Sequence, residues 1–176
     1  MNILVLNCGS SSVKYKLIDM ADERTLAEGG VEKIGLPDGF LKYKRPDGTK
    51  AIKELGLTDH KGAVQAILNI LTDPVDGCIE NFSQINAVGH RLVHGGEKFT
   101  ASCLIDDACI AAIEENIPLG PLHNPANLMG IRACQEVLPN VPQVAVFDTA
   151  FHQTMPPKAF RYAIPNEYYT DLHIRK

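Results

Sequence analysis

The chain has 176 residues, a formal net charge of −4 and a hydrophobic fraction of 45%, which is enough for one domain with a sizeable core. The acidic balance and the lack of a basic arm argue against nucleic acid as a partner. No apolar run is long enough for a secretory signal or a membrane span, so we expect a cytoplasmic protein with no membrane partner. The five cysteines include no CxxC pair and are typical of reduced, mostly buried thiols.

The first third of the chain predicts antiparallel β-structure. Residues 2–7 and 13–18 are expected to form two strands of a hairpin around a Gly/Ser turn, and a third strand is expected near residues 25–33. Residues 35–56 combine Gly, Pro, Lys and Asp with short β-like pieces, which indicates an excursion along the edge of the sheet.

The middle of the chain predicts a helix followed by a strand. Apolar residues recur at the spacing of an amphipathic helix from Val64 to Leu71, and the pair Asp73-Pro74 ends that helix. The segment INAVGHRLVHGGEKF then indicates a strand that runs into a loop of His, Arg and Gly residues.

Two more helices and a strand are expected downstream. One helix should begin at Asp106, with three isoleucines on one face, namely Ile110, Ile113 and Ile117. After the rigid loop PLGPLHNP, Asn124 is expected to cap a helix that runs to about Leu138. QVAVFD should be a buried strand, and the tail should hold a strand-like piece and a short helix. Strands that alternate with helices favour an α/β layer fold.

The turn after the first strand, NCGSSSVK, has the composition of an anion site. Its serine hydroxyls and backbone N–H groups can cradle phosphate oxygens, and Lys14 adds a positive charge. Asn7 offers a carbonyl oxygen suited to a hard cation or to its bound water. A Walker A pattern is absent, and a plain polar hairpin turn is an equally good interpretation of these residues alone.

The segment GHRLVHGG contains one residue of clear chemical interest. His90 and His94 lie four apart without an HExxH pattern, so structural hydrogen bonds are favoured over zinc ligation. Arg91 lies between apolar and Gly-rich residues, which indicates a guanidinium held in a cleft for a carboxylate or phosphate. A surface ion pair is the alternative.

Two later segments place polar groups at structural boundaries. Leu122 and His123 lie at the centre of the Pro-rich loop, where His123 can donate to an oxyanion or simply cap the loop. Asp148 directly follows a predicted strand, and ligands in open α/β sheets collect at the carboxyl ends of strands. It could serve a metal, a water or a proton, or it could cap the next segment.

In this order, NxGSSSxK, GHRxVHGG, PLHNP and VAVFDTAFH resemble the acetate kinase (acetokinase) family over the whole chain. The resemblance implies an α/β fold, the ribonuclease-H-like domain of the actin/sugar-kinase/heat-shock-ATPase superfamily. It implies reversible transfer of the γ-phosphoryl group of ATP to acetate, giving acetyl phosphate and ADP, with Mg²⁺ or Mn²⁺ as cofactor. Propionate or another short-chain carboxylate as acceptor is the alternative, as is a non-catalytic ligand-binding module of the same fold.

The resemblance also implies roles for particular residues. They are Asn7 for the metal; Ser10, Ser12 and Lys14 for phosphate; Arg91, Val93 and Leu122 for acetate; and Asp148, Arg91 and His123 for catalysis. Acetate is already ionised at neutral pH and needs no general base. A metal or water ligand, or a group that orients Arg91, is therefore a better role for Asp148 than a proton acceptor, and of these we expect Asp148 to act mainly through magnesium.

The resemblance finally implies an incomplete site. Family members have two domains with the active site between them, and their next motif, similar to GFHGTSH, should follow an Arg-Lys pair such as Arg175-Lys176. We expect residues 1–176 to be the N-terminal domain, with the second, ATP-binding domain absent and with little or no kinase activity in this polypeptide alone. The whole protein is expected to be a homodimer. This chain alone is expected either to be a monomer or to self-associate through an exposed interdomain face.

Overall fold

The computed structural model describes residues 1–45 and 47–176. The strands are β1 (Asn2–Cys8), β2 (Ser12–Asp19), β3 (Arg24–Glu32), β4 (Phe40–Lys44), β5 (Lys50–Glu54), β6 (Ile85–Leu92), β7 (Cys103–Leu104) and β8 (Gln143–Phe147). The helices are α1 (His60–Leu71), α2 (Asp107–Glu115), α3 (Asn124–Val137), α4 (Pro157–Phe160) and α5 (Glu167–Thr170).

The strands form one mixed sheet in the order β5-β4-β3-β2-β1-β6-β8-β7. From β1 to β5 each strand pairs antiparallel with the next one along the chain, which confirms the predicted hairpin, the third strand and the edge excursion. The strand β6 then pairs parallel with β1, and β8 pairs parallel with β6. The carboxyl ends of β1, β6 and β8 therefore meet at one edge of the sheet.

The helices α1, α2 and α3 lie against one face of the sheet. The predicted amphipathic helix is confirmed, because the N-cap Asp59 accepts from Gly62 N at 2.7 Å and Val64, Ile67, Leu68 and Leu71 are buried. They pack with inward residues of β1 and β2 such as Leu4, Leu6 and Leu17. A second buried cluster joins α2 and α3 to the ends of β6 and β8.

The opposite face of the sheet, called here the open face, has no helix over it in the described residues. The alternation of the strands places apolar side chains there, and the most exposed are Val5, Ile52, Leu104 and Val146. It also carries lysines on β2, β4 and at the start of β5, namely Lys14, Lys16, Lys42, Lys44 and Lys50. Parallel strands are normally buried on both faces, so this exposure is unusual.

Three predictions of local structure were wrong in part, and one strand was missed. The helix α2 has Asp106 as its N-cap, as predicted, but it ends at Glu115, so Ile117 lies in a following 3-10 turn; Ile110 and Ile117 still pack with the buried Ile113 in one cluster. The short edge strand β7 was missed, because two residues carry no readable alternation. The tail forms the short helices α4 and α5 rather than a strand. Asn124 does not cap α3; the side chain is buried and bonds elsewhere.

The reduced state predicted for the cysteines agrees with the structure, in which all five are free and three are buried. In the described part of the chain, no helix is long and apolar enough to cross a bilayer.

Candidate active site

Three polar residues meet where the parallel strands end. Arg91 lies near the end of β6 and donates from Nε and NH2 to the two carboxylate oxygens of Asp148, at 3.1 and 2.7 Å. Asp148 follows β8 directly, as predicted. Asn7, near the end of β1, accepts from Arg91 NH1 at a longer 3.4 Å. The sheet therefore brings together an arginine, a carboxylate and an amide that are widely separated in the sequence.

The Arg91–Asp148 pair remains accessible to solvent. The exposed side-chain fractions are 50% for Arg91 and 42% for Asp148. The hydrogen bonds to Asp148, and then its charge, raise the pKa of the Arg91 guanidinium, so this group is cationic at any physiological pH. Exposed ion pairs contribute little to stability. What the two-point contact does supply is a fixed orientation of the guanidinium plane towards solvent.

The Gly/Ser turn lies beside this group. Gly9 N donates to Ser12 O at 2.8 Å and closes the turn, and His60 Nε2 lies 2.8 Å from Gly9 O. Ser10 is exposed and Ser12 is half-buried. Lys14 is directly opposite Asn7 in the β1–β2 ladder, so both side chains lie on the open face, where they line the same cavity.

The loop after β6 is folded tightly against β8. Thr149 N donates to Val93 O at 3.3 Å, and Gly95 N donates to Thr149 Oγ1 at 3.0 Å. A Cβ at Gly95 would lie 2.7 Å from the Phe147 ring, and Gly96 has φ +62°, so this loop requires both glycines.

The two histidines of this segment have structural surroundings. His90 is 2% exposed, with Nε2 lying 2.7 Å from Gln143 Oε1, and burial lowers its pKa to about 4. Burial also lowers the pKa of His94, whose Nδ1 accepts from Gly96 N at 3.1 Å. Both therefore act as neutral hydrogen-bonding groups, which agrees with the sequence interpretation.

The Pro-rich loop lies at the start of α3. Leu122 is 78% exposed, and His123 is exposed at the N-cap position without a side-chain capping bond. Neither side chain hydrogen-bonds to Arg91 or Asp148, whereas Val93 is half-buried in the loop that follows β6. The structure thus brings Asn7, Arg91 and Asp148 together, with Lys14 opposite Asn7 in the sheet. It connects the Pro-rich loop to them through α3 and through Gly120, where a Cβ would lie 3.2 Å from His94 Cβ.

The connection through α3 uses Asn127, which the sequence interpretation missed, and Asn124, to which it assigned a capping role. The side chains of Asn124 and Asn127 are buried and bond to the backbone at His94, Val93 and Cys8. Two asparagines three apart among the buried residues of a helix are the signal that could have revealed them.

The strand-end site offers oxygen donors, which are the ligands that magnesium prefers. Within residues 1–45 and 47–176, no group of three His, Cys, Asp or Glu side chains could hold a metal. Magnesium in phosphoryl-transfer sites is held by one or two protein oxygens, with water and substrate phosphate completing the shell. The amide oxygen of Asn7 fits that limited role, whereas both carboxylate oxygens of Asp148 accept hydrogen bonds from Arg91.

A mixed sheet with helices α1–α3 on one face, and with polar residues at the ends of β1, β6 and β8, defines a ribonuclease-H-like domain of the actin/sugar-kinase/heat-shock-ATPase superfamily. Within that class, the chain belongs to the acetokinase family, which matches residues 2–176.

Individual relatives agree with this assignment. The chain is 56% identical over its whole length to an acetate kinase of Azobacteroides pseudotrichonymphae, of which it covers 44%. It superposes on the crystal structure of Porphyromonas gingivalis acetate kinase with a TM-score of 0.96 and 54% identity, over 99% of this chain and 44% of that one. It superposes on the crystal structure of a propionate kinase from Francisella tularensis with a TM-score of 0.91 and 43% identity, over 99% of this chain and 44% of that one. The chain thus spans less than half the length of the relatives it matches.

Proposed function

We propose that this chain is part of an acetate kinase, which transfers the γ-phosphoryl group of ATP to acetate and forms acetyl phosphate and ADP. The observation that carries the proposal is the Arg91 guanidinium, held by both oxygens of Asp148 beside Asn7 and Lys14. The identities support acetate over propionate as acceptor, since acetate kinases of several bacteria are 53–56% identical to this chain and the propionate kinase of Francisella tularensis is 43% identical.

The chemistry needs positioning and charge neutralisation more than proton transfer. Because acetate is an anion at neutral pH, Arg91 can bind its carboxylate and then neutralise charge on the transferring group. Val93 and Leu122 are proposed as walls for the acetate methyl group, and His123 as a second contact to the phosphoryl oxygens. Ser10, Ser12 and Lys14 are proposed for the phosphate side.

Magnesium would neutralise charge on the nucleotide phosphates, with Asn7 Oδ1 as its proposed oxygen contact in this chain. Both oxygens of Asp148 already accept from Arg91. This geometry supports the second of the two roles expected for Asp148, so we propose that it orients Arg91 rather than acting mainly through magnesium.

The remaining assignments follow from the family. Residues 1–176 are proposed as the N-terminal domain of a cytoplasmic homodimer, whose second domain supplies most of the ATP site. This chain alone is then expected to show little kinase activity.

A chimera tests the function directly. This chain would replace the matching 44% of Porphyromonas gingivalis acetate kinase, to which it is 54% identical. Acetyl phosphate formation from ATP should appear in the chimera, with a lower KM for acetate than for propionate, and should be near background in the 176-residue chain. A folded chimera without activity, or one that prefers propionate, would overturn the proposal.

The role of Asp148 is tested in the same chimera. Asp148→Asn keeps the shape of the side chain, but one of the two oxygens that accept from Arg91 is replaced by an amide nitrogen, which cannot accept. We expect turnover to fall while the magnesium concentration for half-maximal activity stays within twofold. A large rise in that concentration with little loss of maximal turnover would instead assign Asp148 to the metal.

A further inference from the structure

The helix α3 carries two buried asparagines one turn apart, and both bond to the backbone next to the candidate site. Asn127 is 3% exposed; its Nδ2 donates to Cys8 O at 2.7 Å, and its Oδ1 accepts from Val93 N at 3.2 Å. A single side chain thus connects the residue after Asn7 with the second residue after Arg91.

Asn124 makes the corresponding contacts one turn earlier. It is 1% exposed; its Oδ1 accepts from His94 N at 3.3 Å, and its Nδ2 donates to His94 O at 2.9 Å and to Ile113 O at 3.2 Å. The loop after β6 is therefore fixed at two consecutive residues, Val93 and His94, by the helix α3, whose N-cap residue is His123.

These bonds lie where the sheet can no longer supply them. The last pair of the parallel β1–β6 ladder is Leu6 with His90, and the two strands separate beyond it. Val93 N and Cys8 O lie past that point, and the Asn127 amide bridges them by donating to one and accepting from the other. A carboxylate of the same size could not donate, and an apolar side chain could do neither.

The helix also approaches β1 too closely for an ordinary side chain. A Cβ on Gly130 would lie 2.3 Å from Cys8 Sγ. Gly130 is one turn beyond Asn127 on α3. The close approach of α3 to β1 at Gly130 explains why the short side chain of Asn127 can reach that strand.

We propose that Asn124 and Asn127 are positioning residues, an amide clamp that sets the distance between the strand-end residues Asn7, Arg91 and Val93 and the helix-start residues Leu122 and His123. The proposal rests on the proposed function, since these two groups are then opposite sides of the acceptor site. Displacing reacting groups by about 1 Å can cost on the order of 10²-fold in rate.

The chimera described above provides the kinetic test. Asn127→Leu removes both bonds, and Asn127→Asp keeps the size but loses the donor to Cys8 O. Gln143→Leu is the matched control, because Gln143 is a buried amide that bonds to His90, on the core side of the sheet. Both Asn127 variants should raise the KM for acetate and lower kcat, with a combined loss in kcat/KM on the order of 10²-fold. Gln143→Leu should lower the Tm with kcat and KM within about twofold of the chimera.

A role in stability alone would give a different result. If the Asn127 variants lower the Tm but keep kcat and the KM for acetate at temperatures where they are folded, the clamp is not a positioning device.

A second measurement does not depend on kinase activity. In the 176-residue chain, amide hydrogen exchange at Val93 should be accelerated at least tenfold by Asn127→Leu and not by Gln143→Leu. Unchanged Val93 exchange in Asn127→Leu overturns the clamp, whether or not the chimera is a kinase. If the unmutated chimera is inactive but Asn127→Leu accelerates exchange at Val93 in the 176-residue chain, the clamp is supported and only the proposed function is refuted.

Discussion

Acid should destabilise the fold through His90. This histidine is 2% exposed with Nε2 2.7 Å from Gln143 Oε1, which suits the neutral tautomer with its proton on Nε2. Burial lowers its pKa to about 4, and the hydrogen bond that His90 donates to Gln143 opposes that shift only in part. An unfolded chain would return the imidazole to an ordinary pKa near 6.5.

The sign and size of the effect follow from these two values. Between about pH 6.5 and pH 4 the unfolded chain binds a proton at His90 that the native chain does not, so stability falls as the pH falls. Each pKa unit corresponds to about 1.4 kcal/mol, so the free energy of unfolding should drop by about 3 kcal/mol between pH 7 and pH 4. Above pH 7 this contribution is complete and constant.

Urea unfolding of the 176-residue chain at a series of pH values measures this quantity. The variant His90→Gln has no titrating ring, so its stability should depend less on pH than that of the parent by about 3 kcal/mol over this range. Gln143→Met removes the hydrogen bond that raises the His90 pKa and should not flatten the dependence. Equal pH dependence in the parent and His90→Gln would show that the buried imidazole is not the acid-sensitive group.

Three further outcomes are expected. Arg91→Lys in the chimera should lower turnover by about 10³-fold or more, because a lysine point charge cannot span both oxygens of Asp148; retained turnover would mean that charge alone suffices. Gly95→Ala should lower the unfolding free energy by about 1–3 kcal/mol in thermal or urea unfolding, since its Cβ meets the Phe147 ring; a loss under about 0.5 kcal/mol would contradict this. Burial raises the pKa of the Cys8 thiol to about 12, so iodoacetamide should label Cys8 after the half-buried Cys78 and Cys103 in mass spectrometry; labelling of Cys8 before either would show that this region opens readily.

The sequence allowed prediction of those parts of the fold that depend on local pattern. The β1–β2 hairpin follows from apolar runs around a Gly/Ser turn, and α1 follows from its helical spacing and the Asp-Pro pair after it. The position of Asp148 at a strand end was equally readable, because QVAVF is a short apolar segment that stops at an acid.

The errors arose where tertiary contacts override local preference. Asn124 has every sequence feature of an N-cap, yet its buried amide bonds instead to His94 N and O in the loop after β6 and to Ile113 O in α2. The contact of Arg91 with Asp148 joins residues 57 apart and depends on the parallel pairing of β6 with β8. No local sequence pattern encodes that register. The order of the motifs therefore allowed the roles of Arg91 and Asp148 to be proposed, but it could not predict the contact between them.

The open face also determines how this chain should behave in concentrated solution. Its two halves differ. On one side the five lysines of β2, β4 and β5 outnumber Glu28 and Glu32, with which Lys16, Lys42 and Lys44 pair, whereas on the other side Val5, Leu104 and Val146 are exposed beside Arg91. Positive charge on exposed β-structure opposes sheet-to-sheet association, and exposed valines promote it. The excess of lysines should therefore oppose aggregation through the exposed apolar side chains of the open face. This effect should weaken as added salt screens the charges.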